Sequence, residues 1–81
     1  MGWSIDTARY ALKQIFKDEE RSFRIVHPQS SQPTVDIHYS MNGKKDISKV
    51  TKMEIIALFP DDVYVNFVKV EAPDEQFVWD S

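Results

Sequence analysis

The sequence predicts an α+β domain, a small two-layer sandwich of helices over a mainly antiparallel sheet. Three observations predict it. Residues 4–18 carry apolar side chains at helical spacing, and residues 34–41 and 63–70 alternate with the period of a strand. A short apolar run over residues 51–59 is bounded by a capping pattern and a proline. The expected order is α-β-β-β-α-β with a short C-terminal strand, in one domain spanning 1–81, with residues 1–3 and 80–81 frayed.

In the first helix Ile5, Ala8, Ala11, Leu12, Ile15 and Phe16 form one stripe. Ser4 is a suitable N-cap, and Asp6 sits well in the positive first turn. Asp18-Glu19-Glu20 opposes the helix dipole, so fraying is expected there. Ser22–Val26 reads as a strand with Phe23 and Ile25 on one face, ended by His27-Pro28. The polar run 28–33 reads as a mobile loop.

From Thr34 to Met41, Val35, Ile37, Tyr39 and Met41 alternate with Asp36, His38 and Ser40. Asn42-Gly43 follows, a strong hairpin signal because both residues tolerate positive φ. A returning strand is expected from Lys44 to about Lys49, with a bulge at Gly43-Lys44 that sets Tyr39 opposite Ile47. The alternative is that Asp46 caps a helix starting at Ile47, which deletes this strand. Thr51 and Glu54 fit a capping box, and Ile55, Ile56, Leu58 and Phe59 fill a short helix that Pro60 stops. Val63–Val70 is apolar on both faces and is expected as the central strand. After the breaker 71–75, Gln76–Trp79 is a short strand or a docked tail.

Composition narrows the function. A 42% hydrophobic content with ten aromatics supports a core, and the chain has no cysteine. Disulfides and thiolate metal sites are excluded, and a reducing, cytoplasmic setting is expected. No apolar run reaches the roughly 20 residues of a membrane helix. No basic-then-apolar leader opens the chain, so no signal peptide and no membrane partner are expected. The net charge of −3 is uneven: residues 1–58 hold nine cations against seven carboxylates, residues 59–81 one against six.

Catalytic chemistry finds little support. His27, His38 and Asp36 fall short of a zinc set, so no metal or cofactor is expected. No Gly-x-Ser-x-Gly elbow or Gly-rich loop occurs, and the pairs Asp61-Asp62 and Asp74-Glu75 belong to solvated turns. Two binding surfaces remain. Arg9, Lys13 and Lys17 line one helical face, and Lys44, Lys45, Lys49 and Lys52 cluster about the expected hairpin with His38 and Tyr39. Such a set is what a single-stranded nucleic-acid binder uses, although a pI of 5.2 argues against it. The plain reading is a polar helix face and lysines that protect a sheet edge. The other surface is acidic and aromatic: Asp74, Glu75, Phe77, Trp79 and Asp80, with Val78 between and Trp3 elsewhere. Its plain reading is closure of a small core. The sequence is best read as a non-enzymatic protein-binding module of the inhibitor, adaptor or immunity type, meeting another protein through the acidic, aromatic surface; the alternative is the nucleic-acid binder.

Overall fold

In the computed structural model, which describes residues 4–27, 33–41 and 46–80, the first helix, α1, runs Ile5–Asp18. Ser4 is extended and its Oγ accepts the Thr7 N–H at 3.2 Å, as an N-cap should. The helix end does not fray as expected. Glu20 takes φ 54°, its N–H bonds Lys17 O at 3.0 Å, and Arg21 N–H bonds Phe16 O at 2.9 Å. This is a Schellman closure with glutamate where glycine usually sits, at a cost of about 1 kcal/mol. The closure satisfies the last carbonyls and turns Arg21 inward, where it is buried and donates Nη1–H to Ser40 O at 2.8 Å.

Three strands follow around one further helix: β1 (Phe23–Val26), β2 (Thr34–Ser40), α2 (Lys49–Ile56) and β3 (Tyr64–Val70). The sheet order is β1-β2-β3. β1 and β2 are antiparallel, with Phe23 opposite Tyr39 and Ile25 opposite Ile37. β2 and β3 are parallel, with Val35 beside Val65 and Ile37 beside Phe67. The α+β class stands, and the sheet is mixed. A parallel pair needs a crossover, and residues 41–63 with α2 supply it.

Period-two alternation puts Phe23, Ile25, Val35, Ile37 and Tyr39 on one sheet face, all buried. The α1 stripe of Ala8, Leu12 and Phe16 packs there; the Phe16 ring stacks 5.2 Å from Phe23 and 6.3 Å from Tyr39. Ile55 of α2 and the flanking Ile47, Phe59 and Val63 complete the core.

Several expectations are corrected. The central strand is β2, and Val63 precedes β3, which is an edge strand with Tyr64 and Val68 exposed. Apolar residues on both faces of 63–70 were the reason for placing it centrally; the crossover instead sets β3 outside β2, and its second face stays partly open. The hairpin residues 42–45 lie outside the described residues, as do 28–32 of the loop. Asp46–Ser48 is not a strand, and Lys49 and Val50 belong to α2, in line with the helical alternative. The cap is Ser48, whose Oγ accepts the Thr51 N–H at 3.1 Å, and not Thr51 or Asp46. Thr51 is thereby an interior, buried residue that donates to Glu19 Oε1 at 2.8 Å and ties α2 to the end of α1. Residues 76–79 form a docked tail and no strand.

Candidate functional site

The tail is built from its turn outward. Asp74 Oδ1 accepts the Gln76 N–H at 2.9 Å and Asp74 O accepts the Phe77 N–H at 3.1 Å, which folds the chain back. Phe77 then stacks on His38, ring centres 6.0 Å apart, under the Arg24 guanidinium at 5.2 Å. Register places Arg24 and His38 opposite one another on the sheet face away from the helices. Trp79 tilts against Phe77 at 4.6 Å. Asp80, expected to fray, is pinned: its N–H bonds Phe23 O at 2.7 Å and its Oδ2 accepts the Ile25 N–H at 2.8 Å. Arg9 Nε lies 3.6 Å from the same oxygen. Of the five predicted interface residues, Phe77, Trp79 and Asp80 are committed to the fold, while Asp74 and Glu75 remain exposed.

The basic set is not brought onto one surface. Arg9, Lys13 and Lys17 lie on α1, which packs on the core face, whereas His38 lies on the opposite face under Phe77. Arg9 is paired to Asp6 at 2.8 Å. Lys49 is exposed at the start of α2, and Lys44 and Lys45 lie outside the described residues, as does Trp3. Tyr39 is a correction: it is fully buried and offers no face for a base to stack on. Its phenol donates instead to Asp46 Oδ1 at 2.5 Å. Burial, reinforced by the Asp46 charge, pushes the Tyr39 phenol up. Asp46 also takes a 2.8 Å ion pair from Lys69, and this hydrogen bond, more than any other contact, lowers its carboxyl to about 2. Among the described residues no group of three or more acidic or histidine side chains is placed to hold a metal ion.

Two surface hollows flank α2. One, about 310 Å³, lies between the helices over Gln14, Ile15, Asp18, Glu19, Thr51 and Glu54. The other, about 260 Å³, is apolar and runs from Met53, Ile56 and Ala57 over Phe59, Pro60 and Asp61 to Val63. It continues a stripe on α2 that sequence reasoning missed. Val50 is 66% exposed, Met53 68% and Ile56 47%. At 100° per residue these point away from buried Thr51 and Ile55, so α2 is apolar on both sides. The signal was in the sequence: Val50, Met53, Ile55 and Ile56 are too many for one face of an eight-residue helix.

Comparison of the chain with protein-family models, with curated proteins and with solved structures gives no match.

Proposed function

We propose that this protein is a non-enzymatic protein-binding module and that its binding surface is the outer face of α2 with the hollow leading to β3. The supporting observation is the stripe Val50, Met53 and Ile56, left in water on a helix whose other side already fills the core. The hollow beside it is floored by the buried Phe59 and Val63 and walled by Pro60, and Asp61 sits at its rim. An apolar centre with a polar rim is the anatomy of a protein interface. The tail contributes less than its composition promises, because its aromatics and Asp80 are engaged by β1 and His38. Asp74 and Glu75 act at most on the rate of encounter.

The test is capture of partners from native lysate, with and without nuclease, by three forms of the protein: wild type, Met53→Lys, and Asp74→Lys with Glu75→Lys. Met53 is exposed, so its substitution leaves the fold in place. The expected result is a protein partner lost with Met53→Lys and retained with the tail variant. Identical capture by wild type and Met53→Lys overturns the surface assignment. Recovery of nucleic acid alone, abolished by nuclease, overturns the reading as a protein binder.

A further inference from the structure

We infer that β3 pairs edge to edge with β3 of a second copy of this chain, about a two-fold axis through Phe67. The inference deepens the reading of the α2/β3 face as a protein-binding surface, and rests on it.

The two edges of the sheet are treated differently. At β1, hydrogen-bonding groups alternate between β2 and the outside; Ser22 O accepts from Ser40 N–H, so Phe23 and Ile25 point outward. Asp80 plugs that edge, donating to Phe23 O and accepting from Ile25 N–H. At β3 the same alternation is anchored by Tyr64 N–H to Pro33 O at 2.8 Å and Met41 N–H to Val70 O at 3.3 Å. Even-numbered residues therefore face β2, and Val65, Phe67 and Lys69 turn their N–H and C=O groups outward. Among the described residues nothing covers them.

Nor does the edge carry the usual defences. β3 is seven residues long without proline or glycine, and its one charge, Lys69, is drawn onto Asp46 at 2.8 Å. Such an edge accepts another strand. A second copy is the occupant the spacing favours. The outward residues 65, 67 and 69 are symmetric about 67, so an antiparallel twin sets Phe67 against Phe67 and Val65 against Lys69. Each opposed pair exchanges two hydrogen bonds, and all six outward groups of each chain are satisfied. An axis at residue 66 or 68 leaves some unpaired. On the open face the same register puts Tyr64, 67% exposed, opposite Val70 as an aromatic–aliphatic cross-strand pair, and sets the exposed Val68 beside Asn66. On the helix face α2, held over β3 with Lys52 Nζ 5.7 Å from the Phe67 ring, comes alongside its twin, which brings Met53 and Ile56 toward the joint. Lys52 is the opposing term: its charge meets its copy near the axis, so added salt tightens the pair.

Sedimentation equilibrium on the full chain, at concentrations from about 1 µM to about 1 mM and at two salt concentrations, tests this. The mass is expected to rise from 9.5 kDa toward twice that, more readily at high salt. Val65→Pro deletes an outward N–H and no bond to β2, and is expected to weaken association at least tenfold with the melting curve little changed. Val68→Lys, at an exposed position, sets two like charges across the joint and does the same by another route. Because the chain has no cysteine, single spin labels at Tyr64→Cys and Val68→Cys report the register, with expected separations of about 20 Å and about 8 Å. A 9.5 kDa mass throughout, a dimer indifferent to both Val65→Pro and Val68→Lys, or label distances in another register each overturn the inference. A monomer that still loses a captured protein on Met53→Lys overturns the pairing alone and leaves the proposed function standing.

Discussion

Replacing Asp80 by alanine should undock the tail from β1, and the structure sets the size of the effect. The carboxylate accepts the Ile25 N–H at 2.8 Å in a partly buried position. Losing a charged acceptor there costs about 1.5 kcal/mol. Its ion pair with Arg9 is 3.6 Å long between side chains 31% and 26% exposed, and adds about 0.5 kcal/mol. The sum, about 2 kcal/mol, is large for a chain of 81 residues, whose whole stability is of order 4–12 kcal/mol. It corresponds to a fall in Tm of about 10 °C. Urea unfolding at neutral pH measures the global loss. Amide exchange at Ile25 measures the local one, expected to quicken about 30-fold if the tail opens by itself. Asp80→Asn keeps an acceptor and drops the charge, so it should cost about half as much. An Asp80→Ala protein within about 0.3 kcal/mol of wild type, with Ile25 exchange unchanged, would refute the docking. Asp80 would then join Asp74 and Glu75 as a carboxylate available to a partner.

Three further outcomes follow from the same geometry. Ile37→Ala, in the middle of the central strand, should cost about 3–4 kcal/mol in urea unfolding, and Phe67→Ala on the edge about 2; the reverse order would make β3 the centre of the sheet. Glu20→Gly should raise stability by about 1 kcal/mol, since φ 54° suits glycine, and a lower Tm would show that the glutamate side chain repays the strain. Asp46 titrates near 2 in the folded state against 3.8 unfolded, so its contribution is fully present above about pH 4 and is lost as pH falls toward 2. Over a third of that side chain is exposed, so screening leaves about 1 kcal/mol, seen as a gap between wild type and Asp46→Asn that closes on acidification.

What the sequence determined by itself was local. Ser4 capped α1 because a side-chain oxygen three residues before Thr7 reaches its N–H whatever the rest of the chain does. The stripe Ala8, Leu12, Phe16 and the alternation Val35, Ile37, Tyr39 marked the core faces, since the periods 3.6 and 2 are set by backbone geometry alone. The α+β class followed from those periods. The tertiary structure decided everything that depends on which distant segments meet. Val63–Val70 looked central because both its faces are apolar, yet composition cannot say which strand has neighbours on both sides; the crossover through α2 made β2 that strand. Helix α2 began at Ser48 and not Thr51, because Thr51 was needed inside, against Glu19, 32 residues away. Arg21 was turned inward onto Ser40 O, 19 residues away, and the Tyr39 ring was closed over by Phe16, contacts that no local period reports. The tail gave the same lesson about the candidate site. Aromatics beside carboxylates read alike whether they await a partner or have found one, and here the partner of Asp80 is the edge of β1, 55 residues earlier at Ile25. The surface left over, on α2 and along β3, is defined by what the fold does not use, and that difference exists only once the chain has closed on itself.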